Sequence, residues 1–400
     1  MHFKHVMFCV LCGLFLLAPG CGPSSTPPPG KSHIILAAHD TPEGDKKLAD
    51  AVCTADNAQD TINAAIANLP ATGGQVTLLP GNYTLRKAAL IHKNKPVSGA
   101  ILINKNNVFL QGYGPSTSLF LADAQDCNVV RITGVKGVTV ERLSIDANFQ
   151  GQTVRNRAFE SCGIRASWIH EADGEHCSDI VVRECTVRNA AGLGIMLWGS
   201  NVQAVANVLS DNQADDIELL GGPGIIRGNS VTRTSGNVDS VLGTDAADDI
   251  LITQNTVTIT GKGSASVGIR SWGGFSHHII TNNIVRVEKG GALRIGIDSR
   301  TTETIVNGNL LECPPETPCI VSLGDGNIVT GNIFRNAAIG YQTSPLWKDQ
   351  PHENSAPEDA RGVVFDNNTL LSCTLDAMSF QNHCVPLHPS VANRVEAARP

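Results

Sequence analysis

The chain has 400 residues, a formal net charge of -7, 4% aromatic residues and 39 glycines. Its basic residues are scattered, which excludes a nucleic-acid partner needing a clustered phosphate track. Few aromatics with recurrent Val, Ile, Thr and Asn favour strands and tight turns over helices.

Met1 to Cys21 carries basic Lys4, runs apolar from Val6 to Ala18 and ends Pro19-Gly20-Cys21. The apolar run is too short to span a bilayer and gives way to small residues, the pattern of a cleaved signal peptide. A cysteine at this place resembles the bacterial lipobox, where cleavage precedes the cysteine and its thiol carries diacylglycerol. Cys21 is therefore the expected lipidation site, with a simple secretory signal as the alternative. The expected location is the cell envelope, at the outer membrane or cell surface, or otherwise the periplasm or exterior. Residues 22–50 open with GPSSTPPPG and read as a tether. Residues 51–385 read as one domain, because no second linker interrupts them, and 386–400 as a tail. Of the 12 cysteines, Cys9 and Cys12 leave with the signal. Export permits disulfides among the rest, and Cys313 with Cys319 and Cys373 with Cys384 are the local pairs to test first.

An amphipathic helix is expected from Ala58 to Leu69, where Ile62, Ala65, Ile66 and Leu69 share a face. It is followed by strand-like segments GGQVTLLPGNYTL (73–85), NVFLQGYGPSTSLFL (107–121) and GVTVERLSIDAN (137–148). From about Asp56 to about Asn368 the chain resembles pectate-lyase-like β-helix proteins, which include polysaccharide lyases, polygalacturonases and mannuronan epimerases. The stretches that carry the resemblance are DTINAAIANLPATGGQVTLLPGNYTL, FLQGYGPST and GVTVERLSIDAN.

Downstream, a short phrase returns as IIRGNSV, LITQNTV, IITNNIV, IVNGNLL and IVTGNIF. Its asparagines, Asn207, Asn229, Asn255, Asn283, Asn309 and Asn332, recur every ~22 to 28 residues, a solenoid period. Asparagine tolerates left-handed turns and can hydrogen-bond to its equivalent one coil away. The expected fold is all-β: a single-stranded right-handed parallel β-helix with the N-terminal helix as a cap against the open end.

Aligning coils on these asparagines places Ile164, Ile195, Ile217, Val241, Ile269, Ile295 and Ile320 in one inward column. Flanking residues should face outward. That set includes Arg165, Trp198, Asp216, Glu218, Thr244, Arg270, Trp272, Arg294 and Asp298. Here acids, guanidiniums and indoles interleave, as binding of an acidic sugar chain would require. Asp216, Glu218, Arg270 and Arg294 are the candidate catalytic residues, and Trp198, Trp272, Arg165 and Asp298 the candidate substrate contacts. Two residues apart on one strand, Asp216 and Glu218 should lie about 7 Å apart, inside the ~6.5–9.5 Å of an inverting glycosidase. A lyase would instead neutralise a uronate through Arg270, Arg294 or a bound calcium ion.

A second column, Asp249, His277 and Glu303, falls at a turn on consecutive coils, where His277 would sit between two carboxylates. Asp245, Asp248 and Asp249 are an alternative calcium locus. Insertions at 149–178 and 342–361 carry Arg155, Arg157, Glu160, Trp168, His170, Glu171, His176, Trp347, His352 and Glu358, and either could wall the groove.

The Asp-Pro-His triplet of mannuronan epimerases is replaced here by Gly194-Ile195-Met196-Leu197-Trp198. Asp215-Asp216 matches the paired Asp of polygalacturonases and Arg270 or Arg294 their arginine, but Gly-His-Gly and the lysine are missing. The expectation is a monomeric, envelope-anchored enzyme cleaving glycosidic bonds of a uronate-containing polysaccharide, as lyase or inverting hydrolase. The alternatives are a non-catalytic glycan-binding or structural surface protein and a polyuronate C5 epimerase.

Overall fold

The computed structural model describes residues 27–154, 160–167, 176–272, 276–322, 324–337, 339–342, 362–375 and 394–396. The coil strands cannot bury a face alone, and they pair in parallel with the equivalent strands one coil later, while Leu90–His92 and Lys95–Val97 form a separate antiparallel pair. Three inward columns result. The first runs Ile164, Ile195, Ile217, Leu242, Ile269, Ile297, Ile320. The second runs Val182, Ala204, Ile226, Ile252, Ile280, Val306, Val329. The third runs Val187, Leu209, Val231, Val257, Val285, Leu311, Phe334, Leu370. All three meet in one continuous buried core. The fold is a right-handed parallel β-helix.

The repeated asparagines occupy the turn between the second and third faces and are buried. Each amide nitrogen donates to the side-chain oxygen of the next asparagine, at 3.0 Å from Asn207 to Asn229 and 2.9 Å from Asn229 to Asn255. The ladder continues through Asn283, Asn309 and Asn332 to Asn368. Every rung satisfies a buried turn that would otherwise leave polar groups unpaired.

The expected helix spans Ala58–Asn68. It packs on the strands Gly74–Leu78, Gly81–Leu85 and Ile101–Ile103 and sends Ile62, Ala65 and Ile66 into the core. It shares that end of the solenoid with the strand His33–Ala37, which pairs with Gly74–Leu78. The folded unit therefore begins inside the segment expected as tether, because Ile34 and Leu36 are fully buried there. At the other end, Arg394–Glu396 pairs with Thr369–Leu371 and extends the ladder into the expected tail. The described cysteines are buried free thiols. Cys319 shares thiol contacts with both Cys313 and Cys373, and Cys384 lies outside the described residues.

Two members of the expected first column need correction: Leu242 replaces Val241, and Ile297 replaces Ile295. The chain rounds a corner immediately before this face, and the position before each column residue also points inward. Val241 and Cys319 occupy it and are buried in the core. Gly194, Gly268 and Gly296 fill the same position in other coils. Ile295 is buried in a separate apolar cluster with Val267 and Val321. Apolarity alone therefore does not distinguish inside from outside on these strands.

Candidate functional site

The corrected register sets a row of outward residues along the first face: Arg131, Arg165, Met196, Glu218, Gly243, Arg270, Asp298 and Val321. Adjacent coils are about 4.8 Å apart. Glu218 and Arg270 are two coils apart and meet across Gly243. A Cβ there would lie 2.7 Å from Ser240 Oγ, 3.1 Å from Asp215 Oδ2 and 3.2 Å from Arg270 Nη2. The missing side chain leaves the space the guanidinium crosses.

Arg270 Nη2 donates to Asp215 Oδ2 at 3.0 Å and to Glu218 Oε1 at 2.5 Å. Asp215 also accepts from the backbone N–H of Ser240 at 2.9 Å and from its hydroxyl at 2.5 Å. Burial first, and then the charge of Asp215, push the Glu218 carboxyl up to about 8, against the pull of Arg270. Burial opposes the charge on Arg270, but Asp215 and Glu218 outweigh it and hold its pKa above the ordinary value. The centre thus sets a carboxyl that is protonated at neutral pH beside a carboxylate supplied with three donors. Unequal environments of this kind separate an acid from its partner. Both acceptor oxygens touch one nitrogen, so they are at most about 5.5 Å apart.

Asp216 does not belong to this centre. It occupies the inward corner position, fully buried, and pairs with equally buried Arg233 at 2.7 Å and with Asn212 at 2.8 Å. Its carboxyl is raised by burial, against Arg233 and Asn212. The expected Asp216–Glu218 pair and its inverting separation are corrected accordingly: Asp215 is the neighbour of Glu218. Thr244 also turns inward, in register with Leu219, and is fully buried. Asp298, and not Arg294, lies beside Arg270 in the ladder. Arg294 is exposed between buried Leu293 and Ile295, three residues ahead of Ile297.

Asp298 is covered by its own partners. Trp272 Nε1 donates to it at 3.1 Å and Arg300 Nη2 at 3.1 Å. The guanidiniums of Arg270 and Arg300 lie 4.7 and 4.1 Å from the Trp272 ring centroid. Cations therefore occupy indole surface that was expected to stack on sugar. Trp198 is half-buried and packs with Leu220 against Cys162, Leu193, Met196 and Ala214, an apolar cluster outside the main core.

Arg165 meets Glu160, and its Nε donates to Ser167 Oγ at 3.2 Å, the same hydroxyl that Arg131 contacts at 2.7 Å. The second column stacks as expected: His277 lies 3.4 Å from Asp249 and 3.0 Å from Glu303, on an exposed turn. Among the described residues no three His, Cys, Asp or Glu side chains are grouped so that they could hold a metal ion. Of the insertion residues, Arg155, Arg157, Trp168, His170, Glu171, Trp347, His352 and Glu358 lie outside the described residues.

Sequence reasoning missed Arg131, Arg233, Ser240, Gly243 and Arg300. Arg131 had a usable signal, since Val130-Arg131-Ile132 repeats the pattern of Ile164-Arg165-Ala166 one coil earlier. Arg300 continues the alternation from Asp298. Arg233 had none, because an arginine ending the strand Ser230–Arg233, whose other residues are Ser, Val and Thr, looks like a surface residue.

No family model and no curated protein matches this chain. Solved structures do resemble it. The mannuronan C-5 epimerase AlgE6 A-module of Azotobacter vinelandii superposes with a TM-score of 0.53 at 16% identity, covering 86% of this chain and 96% of that one. A double mutant of the tailspike protein of E. coli bacteriophage HK620, in complex with a pentasaccharide, gives 0.52 at 15% identity over 88% and 76%. The surface adhesin PfbA of Streptococcus pneumoniae gives 0.51 at 14% identity over 67% and 70%. These likenesses establish the right-handed parallel β-helix and leave the chemistry to the site itself.

Proposed function

We propose that the protein is a polysaccharide-cleaving β-helix enzyme in which Glu218 donates a proton to the glycosidic oxygen and Asp215 serves as the paired carboxylate. The observation that carries this reading is the pair itself: a carboxyl pushed up to about 8 and a neighbouring Asp215 supplied with three donors, bridged by one guanidinium on the outer face. Proton donation needs a group with a pKa near the working pH, and Glu218 has one. Hydrolysis is favoured over elimination because Arg270 is already engaged by Asp215 and Glu218, which leaves it poorly placed to neutralise a uronate. The upper limit of about 5.5 Å on the oxygen separation lies below the ~6.5–9.5 Å of inverting glycosidases. The outward row suits a glycan lying along the solenoid axis, and the saccharide named with the tailspike is compatible with that. We also propose export and anchoring through lipidated Cys21. Cys21→Ala should release the protein from membranes and remove the lipid mass; unchanged fractionation argues against the anchor.

A second reading is favoured by the low exposure of the centre, with the side chains of Arg270, Asp215 and Glu218 only 7 to 8% accessible. In this reading the face binds a glycan without cleaving it. Incubation with pectic, alginate and glycosaminoglycan polymers separates the possibilities. New reducing ends without ultraviolet-absorbing unsaturation support hydrolysis; unsaturated products mean elimination. Saturable binding with no product supports the binder.

A further inference from the structure

The inner corner between the first and second faces is lined by polar side chains. Thr244, Ser271, Ser299 and Ser322 stack there in register at the end of the first face. His278 and Asn327 hydrogen-bond to this stack, from a position that Thr304 fills in the coil between, one residue ahead of the paired Ile279, Ile305 and Ile328. All of these side chains are fully buried. A buried imidazole costs stability unless both ring nitrogens are satisfied. Here they are, and their partners fix the place of each proton. The Ala247 carbonyl oxygen can only accept, so His278 Nε2, 2.7 Å away, carries the ring proton. Nδ1 of the neutral ring is then an acceptor. The Ser271 hydroxyl donates to it at 2.8 Å, while Thr244 Oγ1 lies further off at 3.5 Å. Each hydroxyl has one proton to donate. Ser271 has used its own, so Thr301 donates to Ser271 Oγ at 2.6 Å, and Thr304 donates in turn to Thr301 Oγ1 at 2.7 Å. The row therefore points one way, toward the imidazole. It can also run in reverse, because the Thr301 carbonyl oxygen lies 3.4 Å from Thr304 Oγ1 and can accept the last proton. The reversed row is what an imidazolium needs, since both of its nitrogens donate.

We propose that His278, Ser271, Thr301 and Thr304 form a proton-operated switch: protonation of the imidazole reverses the three hydroxyls and loosens the hold of Arg300 and Trp272 on Asp298. The same stretches of backbone carry both sides of the device. Ser271 lies between Arg270 and Trp272, and Thr301 directly follows Arg300. On the outside, Trp272 and Arg300 both donate to Asp298. In the reversed row the Thr304 proton turns to a carbonyl oxygen at 3.4 Å, too far for a good bond. The corner from Thr301 to Thr304 must tighten to complete it, and that movement is passed to Arg300. The added proton comes from solvent and binds Nδ1; no other bond is made or broken beyond the exchange of hydrogen bonds. Ionisable groups surround the ring from three turns. Asp248 and Asp249 on the coil before favour the imidazolium, and His277 beside it in the chain opposes it. On the coil after, Glu303 is engaged by His277 and Arg300 by Asp298. Burial is the largest influence and holds the His278 pKa below its ordinary 6.5. The ring is therefore neutral at neutral pH and gains its proton in acid. The switch does not depend on the chemistry at Glu218.

The test is nitrogen NMR of the histidine rings and tryptophan indoles in the folded protein, over the range of roughly pH 8 to 5 in which histidine titrates. The ring signal missing from His278→Asn identifies His278, and the indole signal missing from Trp272→Phe identifies Trp272. Asparagine suits the site, since Asn327 fills the equivalent position two coils later. At neutral pH the His278 ring should be the Nε2–H tautomer. On acidification it should gain a proton below pH 6.5. The Trp272 indole signal should move with the same midpoint, and should stay still in His278→Asn. Thr304→Val removes the end of the row, so the Thr301 proton has no acceptor once the ring is charged. The midpoint should then fall by about one pH unit, the effect of about one hydrogen bond. An Nδ1–H tautomer at neutral pH would overturn the proposal. So would a ring that stays neutral until the protein unfolds, or a Trp272 signal indifferent to the His278 midpoint. A Trp272 shift that survives in His278→Asn would contradict it as well, by placing the titrating group elsewhere. If His278→Asn does not fold, Thr304→Val decides the matter, because an unchanged midpoint there rules out the relay.

Discussion

Asp215 and Asp216 are adjacent in sequence and sit in two different chemical settings. Asp216 points into the solenoid corner, where Arg233 neutralises it and neither side chain reaches solvent. Asp215 points outward, where Arg270 links it to Glu218 at the edge of solvent. Both are contacts between a carboxyl group and a guanidinium of similar length, yet one links the first and third strands of a single coil from within and the other assembles a centre with a titratable group. Distance and charge do not separate structural from functional ion pairs here. Access to the outer face, and the presence of a second carboxyl that the pair cannot fully neutralise, do.

The largest effect expected from this contrast is on activity. Once the panel identifies a cleaved polymer, Glu218→Gln should lower kcat by about 10² to 10⁴-fold. Its melting temperature should equal or exceed that of the wild type, because a protonated glutamate and glutamine make similar contacts. Undiminished turnover would move the proton donor elsewhere. The next effect is on stability. Arg233→Met leaves Asp216 buried without its countercharge and should cost about 3 to 5 kcal/mol in denaturant unfolding. A loss within experimental error would mean that the inner pair is dispensable. A smaller and more local effect is expected at Gly243. Replacing it with valine fills the space between Glu218 and Arg270 and should reduce activity while the solenoid melts within a few degrees of the wild type, as read by circular dichroism. Full activity in Gly243→Val would show that the bridge between the two coils is not needed.

How far the sequence reveals this arrangement depends on which physical signal is periodic. The asparagine ladder is legible because each rung does the same job, so Asn207 through Asn332 keep their spacing and identity. The strand-borne apolar columns of the second and third faces are legible for the same reason. The first face is harder to read. Its corner inserts an extra inward position, filled by Asp216 in one coil, Val241 in the next and glycine in others, so simple alternation assigns Asp216 to the wrong side. The separate apolar cluster of Val267, Ile295 and Val321 draws the register two residues off at Ile295. Glu218, Arg270, Trp272 and Asp298 could be placed on one face because they follow the corner and alternate normally. Their partners Asp215, Ser240 and Arg300 come from corners and coil ends, where no repeat marks them. That Gly243 holds the gap open is invisible without coordinates, since a glycine in such a strand otherwise reads as a weak point.

The central claim is that Glu218 is held protonated at neutral pH beside Asp215. A carboxyl whose folded-state pKa is raised from 4.5 to about 8 contributes its stability fully below the lower value. That contribution is lost as pH rises through the upper value. The stability advantage of Glu218→Gln over the wild type should therefore grow from acid to alkaline pH. The most direct test is the infrared difference spectrum between the wild type and Glu218→Gln, followed through a pH titration. A protonated-carboxyl band that persists at neutral pH and disappears with a midpoint near 8 is the predicted result. A midpoint in the ordinary carboxylate range would contradict the account.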